Sequence, residues 1–384
     1  MTIAQQNDQF MSFQTDDDYN VRYAMKMTPD GGNELFIPDG SGGWKSFDKI
    51  AMEDMMTTSP ITFDKTGKIL YMIDSRGRNT AALMSKDLET GEKKIIYENP
   101  KADVSNIMIH PVKKVIEAVA SNYEKTEWAV LDESIKADLD YLKTLEKAEV
   151  NITDRSLDDN LWTVAFTVDN GPVKYYLYNR VNKKATFMFT NRKALEGLQL
   201  SFINPVVIKS RDNLNLVSYL TLPLLTDSDN NARPSQPLPM VLLVHGGPWA
   251  RDGWGYNSIH QWLSNRGYAV LSVNFRGSTG FGKDFINAGN KEWAGKMHDD
   301  LIDAINWAID EGVADKEKVA IMGGSYGGYA TLVGLTFTPD VFACGVDIVG
   351  PSNLNTLLET IPPYWAPIIE MFATRMGDNR TEDG

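Results

Sequence analysis

The six residues Gly323-Gly-Ser-Tyr-Gly-Gly328 constrain this chain more than any others. They follow an apolar run, Val319 to Met322, and precede a helical pattern from Tyr329 to Phe337. Glycines crowded around one serine at such a junction read as a sharp strand-to-helix turn. The backbone there is strained and passes close to itself, so the neighbours of the serine must be small. The turn lifts the Ser325 hydroxyl above a sheet and aims the positive end of the helix at negative charge developing beside it. Ser325 is therefore the candidate nucleophile. The bare G-x-S-x-G pattern is weak on its own and gains weight from the strand before it and the helix after it. The competing reading is a glycine-rich turn that happens to hold a serine.

From Met240 onward the sequence alternates between strand and helix. Val241 to Val244, Tyr268 to Val273, Val319 to Met322 and Ala343 to Val349 are short apolar runs, the pattern of parallel strands buried on both faces. Between them, Leu301, Ile302, Ala304, Ile305, Ala308 and Ile309 form a helical stripe, with Asp299-Asp300 placed to cap it. Gly267 and Gly312 stand where helix C-caps are wanted. His245-Gly-Gly-Pro248 directly follows the first of these strands. A glycine loop in that place lets peptide N–H groups approach a substrate oxygen. We assign the N–H groups of Gly247 and Tyr326 as the two oxyanion donors. His245 itself is read as packing under the loop, because a general base there would precede the serine in the chain.

Residues 1–197 read differently. Ile69 to Ile73, Val115 to Ala120, Trp162 to Val168 and Lys174 to Tyr178 are β-branched or aromatic runs separated by turn signals such as Asp64-Lys-Thr-Gly67. Ser75, Ser121 and Asp169 each follow such a run, 121 − 75 = 46 and 169 − 121 = 48 residues apart. A period of about 40 to 50 residues with several short strands per unit is the signature of β-propeller blades. The alternative is an irregular antiparallel sheet domain. The chain thus divides into 1–197, a partial propeller of about four blades, and 198–384, an α/β domain.

Composition narrows the partners. With 38 basic and 51 acidic residues the formal charge is −13, which argues against nucleic acid or an anionic membrane. No apolar run approaches a membrane span, and the first ten residues show no signal peptide, leaving the cytoplasm as the default location unless a leader precedes them. Cys344 is the single cysteine, so no disulfide framework or multi-cysteine metal site is expected. No metal or organic cofactor is implied. Gly277-Ser-Thr-Gly-Phe-Gly282 is not in the order of a dinucleotide loop. His110 reads as a blade residue, and His260 and His298 as surface or packing residues. Trp249, Trp254 and Tyr256 either line a pocket or pack under the domain interface.

Several stretches together resemble the prolyl oligopeptidase family of serine peptidases, particularly its acylaminoacyl-peptidase and dipeptidyl-aminopeptidase-like bacterial members. They are Ser210-Arg-Asp with Tyr219-Leu-Thr-Leu-Pro223, His245-Gly-Gly-Pro248, Asn274-Phe-Arg-Gly-Ser278 with Gly280-Phe-Gly282, Trp293 with Asp299-Asp300, and Gly323 to Tyr329. The resemblance implies a propeller followed by an α/β-hydrolase domain, and hydrolysis of short peptides through an acyl-enzyme on Ser325. It also implies Gly247 and Tyr326 as oxyanion donors. The first half has no Glu-Glu pair of the kind with which the family's dipeptidyl peptidases hold a substrate amine, so dipeptide release is not implied.

A serine nucleophile needs a base. In α/β-hydrolases the triad runs Ser, then Asp or Glu, then His. All four histidines (His110, His245, His260, His298) precede Ser325. Of the later acids, Asp347 lies in an expected strand, and Asp340, Asp378 and Asp383 have no further strand to place them. The expectation is a fragment whose hydrolase domain lacks its last strands, inactive by itself and exposing apolar surface. An esterase or lipase on the same fold, or a non-catalytic binding protein, are the alternatives.

Overall fold

The computed structural model describes residues 10–227, 231–362, 365 and 368–381. The first ten residues, apart from Phe10, and Asp383 lie outside the described residues. Four antiparallel meanders come first. Strands β1–β4 are Ser12–Thr15, Val21–Met27, Asn33–Pro38 and Trp44–Ile50, and β5–β8 are Ser59–Phe63, Ile69–Asp74, Ala82–Asp87 and Lys93–Tyr97. Strands β9–β11 are Val104–Ile109, Ile116–Asn122 and Thr126–Val130, followed by helix α1, Lys136–Lys143. Strands β12–β15 are Glu149–Arg155, Leu161–Thr167, Lys174–Asn179 and Lys184–Thr190. This is a partial β-propeller. Ser75, Ser121 and Asp169 mark the ends of β6, β10 and β13, so the repeat in the sequence follows the second strand of successive sheets.

A thin sheet must bury its faces against its neighbours. Along β6 the burial alternates, with Leu70, Met72 and Asp74 inside. Leu70 and Met72 join Tyr23 and Phe63 in a cluster shared by the first two sheets. Met108, Trp162, Val164, Phe166 and Tyr178 form a second cluster, closed by Leu139 and Leu142 of α1. Each such side chain contributes roughly 1.5–3 kcal/mol by leaving water. Trp162 is also gripped on its edges and faces: its Nε1–H donates to Asp159 at 2.7 Å, and the Arg155 and Arg180 guanidinium groups stand 4.9 and 4.6 Å from its ring.

The α/β-hydrolase domain begins with an antiparallel hairpin, β16 (Ile203–Lys209) and β17 (Asn215–Thr221). Then come β18 (Leu238–Val244), α2 (Ser258–Ser264), β19 (Ala269–Val273), α3 (Lys283–Asn287), α4 (Lys296–Asp310), β20 (Ala314–Gly324) and α5 (Tyr326–Phe337). The described chain closes with β21 (Cys344–Ile348), α6 (Leu354–Glu359) and α7 (Ile369–Met376). The sheet order is β16-β17-β19-β18-β20-β21, parallel from β19 onward. Val244 lies opposite Gly323, so β18 and β20 end level and their following loops lie side by side. Loops at the C-terminal edge of parallel strands are where such sheets build sites. Among the described residues, no helix is long and apolar enough to cross a membrane.

Two local expectations change. Asp299-Asp300 does not cap α4, which starts at Lys296. Asp300 instead points sideways and is fully buried, accepting from the Arg276 N–H and guanidinium at 2.7 to 2.9 Å. Arg276 also pairs with Asp212, which ties the β16–β17 turn to α4. The run Ala343 to Val349 does form a strand, but not one buried on both faces. Among the described strands β21 is outermost, and Val346, Ile348 and Val349 are exposed.

His260 gives the domain a pH dependence. Its ring is buried between Thr221 Oγ1 and Ser272 Oγ, both at 2.8 Å. Burial pushes its pKa down from 6.5 to about 4. The unfolded chain binds this proton more tightly, so the stabilisation is complete above pH 6.5 and is lost as pH falls toward 4. The loss is about 3 kcal/mol. Urea unfolding from pH 7 to 4 should show this slope in the native chain and a shallower one in His260→Asn. Equal slopes would remove His260 as the source.

Candidate active site

The turn after β20 folds as its glycines require. Ser325 sits immediately before α5 with φ 57° and ψ −119°, a conformation that costs a residue with a side chain about 1–3 kcal/mol. It is held there by main chain. The Ser325 N–H donates to Ile348 O of β21 at 2.9 Å. A Cβ on Gly327 would stand 2.1 Å from Val244 O, and one on Gly323 would stand 2.5 Å from the Gly327 backbone. The first turn of α5 therefore lies directly on the end of β18. Ser325 is exposed, and its hydroxyl has no hydrogen-bond partner among the described residues.

The neighbouring loop, 245–250, comes equally close. A Cβ on Gly246 would lie 3.1 Å from Gly324 O and 3.5 Å from Ser325 Cβ. Gly247 takes φ 125° and precedes a cis peptide to Pro248. Tyr326 opens α5, so its N–H has no intrahelical acceptor. Its side chain leaves the site. The ring stacks on Phe275 at 5.3 Å and meets Trp293 edge-on at 4.7 Å, and burial pushes the phenol well above its usual pKa. Ser325, Tyr326 and the Gly246–Gly247 segment are thus brought together at the level ends of β18 and β20.

No histidine joins them as a base. His245 stacks on Phe275 at 4.5 Å, its Nδ1 lies 2.8 Å from Gly246 O, and its Nε2 lies 2.9 Å from Ser278 Oγ. It therefore braces the loop. His260 is buried beneath the sheet, and His298 bonds Thr338 Oγ1 at 3.0 Å from α4. His110 Nδ1 accepts the N–H groups of Val112 and Lys113 in a blade turn. It lies near Glu117 and Asp159, with ligand atoms within 4.8 Å of one another, but Arg155 bonds both carboxylates. Asp347 Oδ1 accepts from Gly350 N–H at 2.8 Å, and Asp378 pairs with Arg380. Trp249 packs on Phe372 of α7, Trp254 donates to Ile203 O under Lys125 while also lining a cavity beside Trp128 and Glu149, and Tyr256, under Arg192, lines another cavity, so packing and pocket roles are both present.

Sequence reasoning missed the residues behind the loop. Phe275 and Ser278 stood in a family-like stretch without a role, although their partner His245 was already in view. Asp252 is another. Its N–H donates to Asn274 Oδ1 at 2.8 Å, its Oδ2 is buried without a partner, and burial raises its pKa despite the nearby His245 and Arg251. Nothing in the local sequence distinguished it from a surface acid.

Residues 254–373 match the prolyl oligopeptidase family. The whole chain is 54% identical to dipeptidyl aminopeptidase BIII of Pseudoxanthomonas mexicana, of which it covers 56%. It is 41% identical over 95% of its length to dipeptidyl peptidase family member 6 of Caenorhabditis elegans, covering 53% of that protein. The chain thus spans about half the length of these curated relatives. Its fold matches a puromycin-hydrolyzing peptidase of Mycobacterium tuberculosis with TM-score 0.73 and 19% identity, over 96% of this chain and 56% of that one. An acylaminoacyl peptidase of Pyrococcus horikoshii matches with TM-score 0.65 and 18% identity, over 94% and 55%.

Two substitutions in the turn should move stability in opposite directions. Ser325→Gly relieves the positive φ and should raise the urea midpoint, by an amount near 1 kcal/mol after the entropy cost of glycine. Gly327→Ala forces a Cβ into Val244 O and should cost about 3 kcal/mol. A Gly327→Ala protein as stable as the parent would show that the first turn of α5 does not lie against the end of β18.

Proposed function

We propose that this chain, which belongs to the prolyl oligopeptidase family, carries the nucleophile of a serine peptidase that cleaves short peptides. The observation that supports this most directly is the exposed, strained Ser325 held against the Gly246–Gly247 loop. In this reading Ser325 Oγ attacks the scissile carbonyl carbon, and the carbonyl oxygen becomes an oxyanion. The N–H groups of Gly247 and Tyr326 receive it, each worth roughly 3–4 kcal/mol on the barrier. Collapse expels the amine and leaves an acyl-Ser325 ester, which water then hydrolyses. We take residues 1–197 as the propeller portion and 198–384 as the hydrolase portion.

Proton removal from Ser325 is assigned to a histidine outside these 384 residues, since each of the four present is engaged elsewhere. On this reading the 384-residue chain alone is nearly inert. As to the substrate, the missing Glu-Glu pair weighed against dipeptide release. Two relatives matching nearly the whole chain are nonetheless named for that activity. We therefore propose release of dipeptides from the free N-terminus of short peptides.

Both parts are testable. The 384-residue chain should hydrolyse a nitrophenyl ester no faster than its Ser325→Ala variant, and turnover abolished by that change would overturn the assignment of the base. A protein that carries this chain within a relative-length sequence should cleave dipeptidyl nitroanilides. Ser325→Ala there should reduce kcat by about 10⁴-fold or more. Preference for acetylated over free amino termini would replace dipeptide release with acylaminoacyl release.

A further inference from the structure

We propose that Asn79 and Asp103, two propeller residues, position the oxyanion loop of the hydrolase domain through the glycine-rich segment 277–284. The proposal rests on the assignment of loop 245–250 to the oxyanion hole. Its structural basis is a continuous run of hydrogen bonds from blade to loop.

The segment first grips both ends of the loop. At the start, His245 Nε2 lies 2.9 Å from Ser278 Oγ, which itself donates to Phe275 O at 2.7 Å. At the far end, the Thr279 N–H donates to Ala250 O at 2.9 Å. Gly246 to Trp249, with the proposed donor Gly247, lie between these two attachments, and Trp249 packs on Phe372 of α7. Adjacent residues Ser278 and Thr279 hold both, so displacement of this short segment would disturb both attachments of the loop at once.

The propeller in turn grips the segment. The Asp103 N–H donates to Gly280 O at 3.0 Å, and Asp103 Oδ2 accepts the Gly282 N–H at 3.2 Å. Asp103 Oδ1 accepts the Ala81 N–H at 2.7 Å, which fixes the carboxylate to its own blade. Asn79 O accepts the Lys283 N–H at 3.0 Å, and Asn79 Oδ1 accepts the Asp284 N–H at 2.9 Å. Lys283 Nζ adds a bond to Asp54 at 2.8 Å.

The glycines now have a reason. Gly282 takes φ 90°, and a Cβ there would fall 2.4 Å from Asn79 Oδ1. Gly280 takes φ 92°, and its Cβ would meet the Arg251 guanidinium at 2.6 Å. Arg251 is one residue beyond the loop and donates to Asn122 O and Tyr123 O of the propeller, at 2.7 and 3.0 Å. The G-S-T-G-F-G sequence is therefore a strap between the domains. Undocking of the propeller would release it and let Gly247 move away from Ser325.

The test uses hydrogen exchange and His245 ring resonances in the 384-residue chain, neither of which needs catalysis. Asn79→Ala and Asp103→Ala should speed amide exchange in peptides covering 245–250 by at least tenfold and shift the His245 Nε2 signal. Asn79→Asp keeps an acceptor for Asp284 N–H and should restore both readouts. Gly282→Ala, made from the hydrolase side, should reproduce the defect. Asp169→Ala removes a different bond across the same seam, from the Ile203 N–H at 2.8 Å, and should leave the loop unchanged. Faster exchange at 277–284 with 245–250 and His245 unaltered would overturn the proposal, as would an equal effect from Asp169→Ala. Should Asp103→Ala fail to fold, the contrast between Asn79→Ala and Asn79→Asp decides alone. Failure of the peptidase reading shows separately, as a relative-length protein whose activity survives Ser325→Ala.

Discussion

The site depends on a contact between two stretches of main chain. The first turn of α5 lies on the last residues of β18 so closely that Gly327 can carry no side chain. Everything else at the site follows from that approach. It sets Ser325 at a positive φ, because the chain must turn from β20 into a helix within the space that β18 leaves. It also brings the loop after β18 beside the serine. Parallel strands ending level make this possible, since the loops of adjacent strands then emerge at one height.

The two domains meet through a seam of another kind. The clusters that stabilise the sheets are apolar, whereas many of the contacts across the seam go to backbone carbonyls. Asn122 O, Tyr123 O and Glu124 O accept from Arg251 and Tyr219, and Glu53 O and Met52 O accept from Asn287 and Arg375. The neutral bonds are worth about 1 kcal/mol net each and those donated by guanidinium groups about 1.5–3 kcal/mol, so the seam is a sum of modest terms. A polar seam of this type resembles a transient interface more than a core, and relative motion of the domains is the default expectation for it. Arg375 fits this picture. Its buried guanidinium meets Asn287, Asn290 and Met52 O rather than a carboxylate, and burial pushes its pKa down to about 10.

Local chemistry was legible in the sequence wherever the cause was local. Strands β6, β10, β13 and β14 were visible as β-branched or aromatic runs, and the blade period because turns recur with it. The Ser325 turn was visible because glycine is the one residue that tolerates such crowding. The start of α4 was misplaced for a tertiary reason: Asp300 looks like a cap, but a buried guanidinium from Arg276 claims it. Strand β21 reads as buried from its apolar run alone, and its actual exposure depends on what pairs beside it.

The strap was the least legible element, and the reason is physical. Gly277 to Gly282 offers mainly glycines, a serine and a threonine, and tested against a dinucleotide loop it simply fails. Its Gly282 partner, Asp103, is 179 residues away in the other domain. Position 282 must be glycine both because its own φ is positive and because Asn79 stands where a Cβ would go. A glycine demanded by a neighbour in space leaves the same mark in the sequence as one demanded by its own φ. Only the fold separates them, and here it shows both demands acting at once. A methyl group at this position would meet the same Asn79 oxygen that accepts the Asp284 N–H, so the glycine and the strap's contact with the propeller are one requirement.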